Sequence, residues 1–274
     1  VGKDWSAMSM SDVTAYKGYL EGRSLKVSSI AASVTAIKSF FTWMKKVGAI
    51  AQSPADGVSI PTIPEGEAKH LEQHQIDALF EALKGRGNTE VRDTAIVFLW
   101  FKSGLRPEEV SLLNVEDYNG VEVVIRNGKH QSSGRVPVDE QTHAVLVEYL
   151  SQRWMEAQGE LKGDDPIFVS YSHRNYGDRM GYEGIYKMFK QVAQAAGLPE
   201  IHPHRGRHTF ISGLVSGKVD AYLGMALTRQ KSVKAYKVYS EAVRYEAARA
   251  AFFESRGIKE RKPVSLEQML ERGY

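Results

Sequence analysis

Residues 53–66 read Ser-Pro-Ala-Asp-Gly-Val-Ser-Ile-Pro-Thr-Ile-Pro-Glu-Gly, with prolines at 54, 61 and 64 and glycines at 57 and 66. Neither a helix nor a central strand runs through such a stretch, because each proline removes a backbone donor and fixes its own φ. The chain is therefore expected to divide here, with a helical unit at 1–60, a linker at 61–68 and a larger unit at 69–256. Residues 257–274 form a tail. Its 274 residues suffice for two cores.

Apolar spacing predicts helices on both sides of the break. Ser11-Asp12 can cap a segment through Leu20, and Ser28 or Ser29 can open a second that carries Ile30, Val34, Ile37, Phe40, Phe41 and Met44 to Gly48. Beyond the linker, helices are expected at 71–83, 91–102, 106–113, 140–157, 181–196, 207–217 and 231–256. Val121–Arg126 and Gly134–Val138 flank Asn127-Gly128, a hairpin turn signal. The fold class read from these segments is mainly α with a small antiparallel β-sheet.

Composition excludes several chemistries. There is no cysteine, so a thiol nucleophile, a disulfide framework and a Cys-ligated zinc site are ruled out, and a cytoplasmic setting is permitted. The longest apolar run, Ala95–Phe101, falls well short of the roughly 20 residues that cross a bilayer. No membrane association is expected. The first residues lack a basic segment followed by an apolar one, and Val1 in place of Met is expected of a processed or trimmed chain. A formal charge of +3 does not by itself establish a nucleic-acid partner. Yet the first unit has seven basic residues against four acidic ones, so the whole excess lies there.

Four motifs become informative together: Gly104-Leu-Arg-Pro-Glu-Glu-Val-Ser-Leu-Leu113, Asn127-Gly-Lys129, His204-Arg-Gly-Arg-His-Thr-Phe210 and Lys237-Val-Tyr239-Ser. Arg106 sits where a helix begins, so its guanidinium and the helix N-terminus both favour a phosphate. His202, His204 and His208 invite comparison with metal ligands, but Arg205 and Arg207 lie among them and no adjacent carboxylate completes a set. No metal and no cofactor is expected. Tyrosines stand at 222, 236, 239 and 245 in the last part of the chain.

In order and spacing these motifs resemble the tyrosine recombinases, the integrase and Xer-like family of site-specific DNA recombinases, over nearly the whole chain. Phe40-Phe41-Thr-Trp43 and Ser53-Pro-Ala55 are similar to parts of that family's helical, SAM-like core-binding domain. The resemblance implies a two-domain, C-shaped DNA clamp and cleavage through a 3′-phosphotyrosine intermediate. It implies catalytic roles for Arg106, Lys129, His204, Arg207 and Tyr239, with Glu109 supporting Arg106 from behind. Tyr236 stands second to Tyr239. The family's usual His or Trp, nine residues before the tyrosine, is replaced by Gln230, whose amide can donate to a phosphate oxygen but cannot carry a proton. An alternative alignment through Leu223-Gly224-Met225 needs a five-residue gap.

The implied partners are duplex DNA with inverted-repeat core sites and three further copies of the chain, a homo-tetramer on two DNA sites. Any accessory protein is left unnamed. The tail is expected to dock on a neighbouring protomer, the alternative being its own domain. The setting would be the nucleoid, or a viral or other mobile element. A type IB topoisomerase, a telomere resolvase and a non-catalytic DNA-binding relative are the competing functional classes.

Overall fold

The computed structural model describes residues 3–63, 70–126, 133–230, 233, 236, 245 and 248–257. It divides into two compact units, 1–66 and 67–274.

In the first unit, helix α1 (Met10–Glu21) and helix α2 (Val27–Lys46) follow a short 3-10 turn at Trp5–Ala7. Their caps differ from the sequence expectation. Ser9, two residues before the expected Ser11, opens α1 in a reciprocal cap with Asp12. Lys26 precedes α2, which begins at Val27 before either serine. Val13, Leu20, Ile30, Val34, Phe41 and Met44 form the core, closed by Ala55 and Val58 from the proline-rich segment. That segment is held by Lys38, whose ammonium donates to the carbonyls of Ala55, Asp56 and Val58 at 2.8, 3.2 and 2.8 Å. One of the seven basic residues is thus consumed inside the fold.

The second unit contains α3 (Gln73–Glu81), α4 (Glu90–Ser103), α5 (Pro107–Ser111), strands β1 (Glu122–Ile125) and β2 (Gly134–Pro137), α6 (Glu140–Glu156), α7 (Tyr182–Ala195), α8 (His204–Ser216) and α9 (Ala221–Thr228). Helix α4 is the hub. Its middle turns, Ala95–Phe101, are apolar on every face, as in a helix enclosed by others. Ala95, Ile96, Val97, Leu99 and Trp100 are fully buried, and Trp100 meets Phe189 of α7 edge-on at 5.1 Å. The strands pair antiparallel with Ile125 opposite Gly134.

This register is that of strands flanking a long tip, as the sequence leads one to expect, and not that of a two-residue Asn127-Gly128 turn. Two helix assignments also change. Helix α8 starts at His204, three residues before the expected 207, so His204 and Arg207 share its first turn. Helix α9 was not anticipated, because Ala221–Thr228 is too short for an 11-residue periodicity window to register. Asp220 caps it, its carboxylate accepting from the Tyr222 backbone at 2.8 Å.

Candidate functional site

The site grows from two glycines and a short helix. Gly104 ends α4 in the left-handed region, at φ 61°, and a Cβ there would collide with the Phe210 ring of α8. The α4–α5 turn is thereby laid directly on α8. On the other side, a Cβ at Gly206 would come within 3.0 Å of Trp100 Cβ, so only glycine lets α8 approach α4 this closely. Arg106 then caps α5, with Pro107 at the first helical position and Glu109 at the third. Glu109 accepts the Arg106 backbone N–H at 2.8 Å and its Nη1 at 2.7 Å.

Arg207 reaches back across this junction. Its Nη1 donates to the Gly104 carbonyl at 2.6 Å and its Nη2 to the Thr228 carbonyl at the end of α9. Arg207 thus ties the turn before Arg106 to the residue before Arg229. Only 5% of Arg207 is exposed, so both bonds form away from competing water. His204 is exposed on the first turn of the same helix. His208 lies deeper, where burial, with the positive charge of His204, Arg205 and Arg207, pushes its pKa down to about 4. It is neutral near pH 7 and adds no charge for an anion.

Arg229 belongs to the same network and was passed over in the sequence. It closes α9 in the left-handed region at φ 55°, an unusual conformation for a non-glycine residue. Its Nη2 donates to Glu109 Oε2 at 2.6 Å, with both side chains almost wholly buried. Burial lowers the Arg229 pKa from its ordinary value, while the Glu109 carboxylate opposes the shift. Nothing local announces a pairing across 120 positions. Gln230 follows directly, its backbone N–H bonded to the Met225 carbonyl at 3.0 Å. Its Oε1 is buried and has no hydrogen-bond partner among the described residues.

The structure therefore brings Arg106, Glu109 and Arg207 together, with Gln230 at the adjoining end of α9. Lys129 and Tyr239 lie outside the described residues. Tyr236 is described and is 2% exposed, packed on Ile211 of α8. A Cβ at Gly224 would collide with its hydroxyl, and burial raises its pKa. A phenol enclosed in this way is poorly placed for attack on a macromolecule. Among the described residues, no group of three His, Asp or Glu side chains could hold a metal ion.

Arg106 is held by the Glu109 carboxylate and Arg207 by two carbonyls, so guanidinium groups from separate elements are fixed at one junction, donor chemistry that suits an oxyanion. The sequence matches the Phage integrase family over residues 69–244, and the chain belongs to that family. It is 28% identical over 241 residues to the tyrosine recombinase XerC of Roseiflexus sp. (strain RS-1), covering 87% of this chain and 76% of that protein. With XerC of Thermodesulfovibrio yellowstonii it shares 29% over 231 residues, 82% and 75% of the two chains. Among solved structures, the XerH recombinase bound to palindromic difH substrate superposes with TM-score 0.70 at 17% identity, covering 89% and 72% of the two chains. The Tn1549 transposon integrase bound to transposon right end DNA gives 0.67 at 16%, covering 91% and 87%. This chain is accordingly a DNA breaking and rejoining enzyme of the tyrosine recombinase type.

Proposed function

We propose that the enzyme clamps duplex DNA carrying inverted-repeat core sites and exchanges strands through Tyr239, as a homo-tetramer on two sites. The phenolic oxygen of Tyr239 attacks the scissile phosphorus, and the bond from phosphorus to the 5′ oxygen breaks. A 3′-phosphotyrosine and a 5′-hydroxyl result. His204 takes the phenolic proton, and Lys129 supplies the proton that the leaving oxygen needs. Arg106 and Arg207 stabilise the charge that builds on the non-bridging oxygens, a role in which a single donor is typically worth roughly 3–4 kcal/mol. Gln230 donates its amide to one of the same oxygens. Attack by another strand's 5′-hydroxyl reverses the chemistry and reseals the backbone, so neither ATP nor a metal enters the balance.

The observation that supports this reading is the hydrogen-bonded chain from Arg106 through Glu109 to Arg229, with Arg207 joined to the carbonyls at both ends. It fixes two separate arginines before any ligand arrives, and such preorganisation is what electrostatic catalysis requires. The palindromic substrate of the XerH structure favours inverted repeats for the DNA. The experiment uses nicked duplexes built from inverted repeats in the DNA flanking the gene, which trap the covalent intermediate. Wild type should form a protein–DNA adduct resistant to denaturation and Tyr239→Phe none. Equal adduct from both proteins would reject Tyr239 as nucleophile.

A further inference from the structure

We infer that Arg229 is a positioning residue for strand cleavage, acting on Arg106 through Glu109. The inference rests on the recombinase reading above and adds to it a residue that the motifs do not contain. Glu109 is nearly inaccessible, and two cations converge on it: Arg106 through its backbone N–H and Nη1, and Arg229 through Nη2 at 2.6 Å. With Arg106 alone, the carboxylate would neutralise the guanidinium meant for the phosphate. The second buried arginine restores a net positive charge to the trio and holds Oε2, so that Oε1 is left to orient Arg106.

The backbone and the neighbouring strand point the same way. Arg229 occupies a left-handed position that glycine would hold at less cost, and a buried guanidinium must be desolvated to stand there. Two unfavourable features at one residue are retained where its side chain does work elsewhere. Its aliphatic stem lies on β2, close enough that a Cβ at Gly134 would be 3.0 Å from its Cδ. Arg229 therefore bridges α9, the Glu109–Arg106 pair and the strand that follows the 126–133 connection. Fixing the arginine and the hairpin together would make cleavage sensitive to this residue without any direct contact with DNA.

The test measures DNA affinity and the single-turnover rate of adduct formation separately, on the nicked duplexes above. Arg229→Met, which keeps the stem over Gly134 but loses the charge, should slow adduct formation about tenfold or more while affinity stays within about threefold. Arg229→Lys should recover part of the rate, because a cation returns without the fork. In a Glu109→Gln background, Arg229→Met should add less than about a twofold loss, since residues acting through one another are not additive. Arg229→Gly, which relieves the left-handed strain, supplies a folded variant lacking the charge should Met unfold the protein, and should be as slow. An undiminished rate in Arg229→Met or Arg229→Gly, or independent effects with Glu109→Gln, would overturn the assignment. Absence of adduct from wild type would instead reject the recombinase reading. Crystals of Arg229→Met then decide the positioning claim without activity: a displaced Glu109 carboxylate supports it, and an unmoved Arg106–Glu109 pair refutes it.

Discussion

Gly104 shows how much of the site depends on one residue's conformation. Replacing it with alanine puts a side chain into the left-handed region and into the Phe210 ring. The combined strain and overpacking should cost about 2–4 kcal/mol, read as a lower urea midpoint with an unchanged m-value. Because Arg207 bonds to the carbonyl of the same residue, cleavage should fall further than stability alone explains. His208 provides a pH-dependent counterpart. Its folded pKa of about 4 lies below its ordinary 6.5, so its contribution is complete above the unfolded value and is lost as pH falls through that interval. Melting temperature should drop between about pH 7 and about pH 4.5, and His208→Asn should flatten the drop. Equal slopes in the two proteins would show that other groups dominate. Arg106 and Arg207 were legible from the Gly-Leu-Arg-Pro-Glu-Glu and His-Arg-Gly-Arg motifs in which they stand. Arg229 was not, since its meaning lies in a partner 120 residues away and in a backbone conformation that no residue type announces.

At the scale of elements, close approach of α8 to α4 is the feature on which the site depends. Gly206→Leu would drive a branched side chain against Trp100 and Phe101 and lift the start of α8, with His204 and Arg207 on it. Overpacking of this kind typically costs about 1–3 kcal/mol. The expected outcome is a folded protein with helical circular dichroism near wild type and adduct formation reduced at least about tenfold; retained activity would mean that α8 is not held by this contact. The long helices were readable from spacing: α4 as a continuous apolar run ended by Gly104, α6 and α7 from their periodicity. Short elements escaped for physical reasons. Helix α9 gains its stability from Asp220 at its start and from burial of Gly224 beneath Tyr236, neither of which creates a periodic signal. The hairpin's strands were found, with the register of strands flanking a long tip rather than a two-residue Asn-Gly turn. The end of the chain shows a different limit. Residues 248–255 are helical with Phe252 exposed, an apolar face of the kind that sequence pattern reveals without naming what it meets.

For the whole molecule, the informative quantity is which charges of the first unit remain available to DNA. The sequence places an excess of +3, equal to that of the whole chain, in residues 1–60, but the fold engages part of the cationic inventory in its own contacts. Lys38 is half-buried and bound to three carbonyls, and Lys3 pairs with Asp12 at 2.7 Å. Lys3 is itself exposed but paired, whereas Arg23, Lys26 and Lys46 are exposed and enter no salt bridge among the described residues. If the first unit forms one arm of a DNA clamp, those three should carry the phosphate contacts, each contact releasing about one counterion. The slope of log affinity against log salt should then become shallower by about one for a charge removed by Lys26→Ala or Lys46→Ala, with sequence preference unchanged. Lys38→Ala should do the opposite: it should lower the melting temperature, by leaving three carbonyls without their donor, and leave the salt slope where it was. Affinity measured over a several-fold salt range separates the two outcomes. A slope that responds to Lys38 and ignores Lys26 and Lys46 would mean that DNA approaches a different face of this unit, and that the local charge excess is structural in origin.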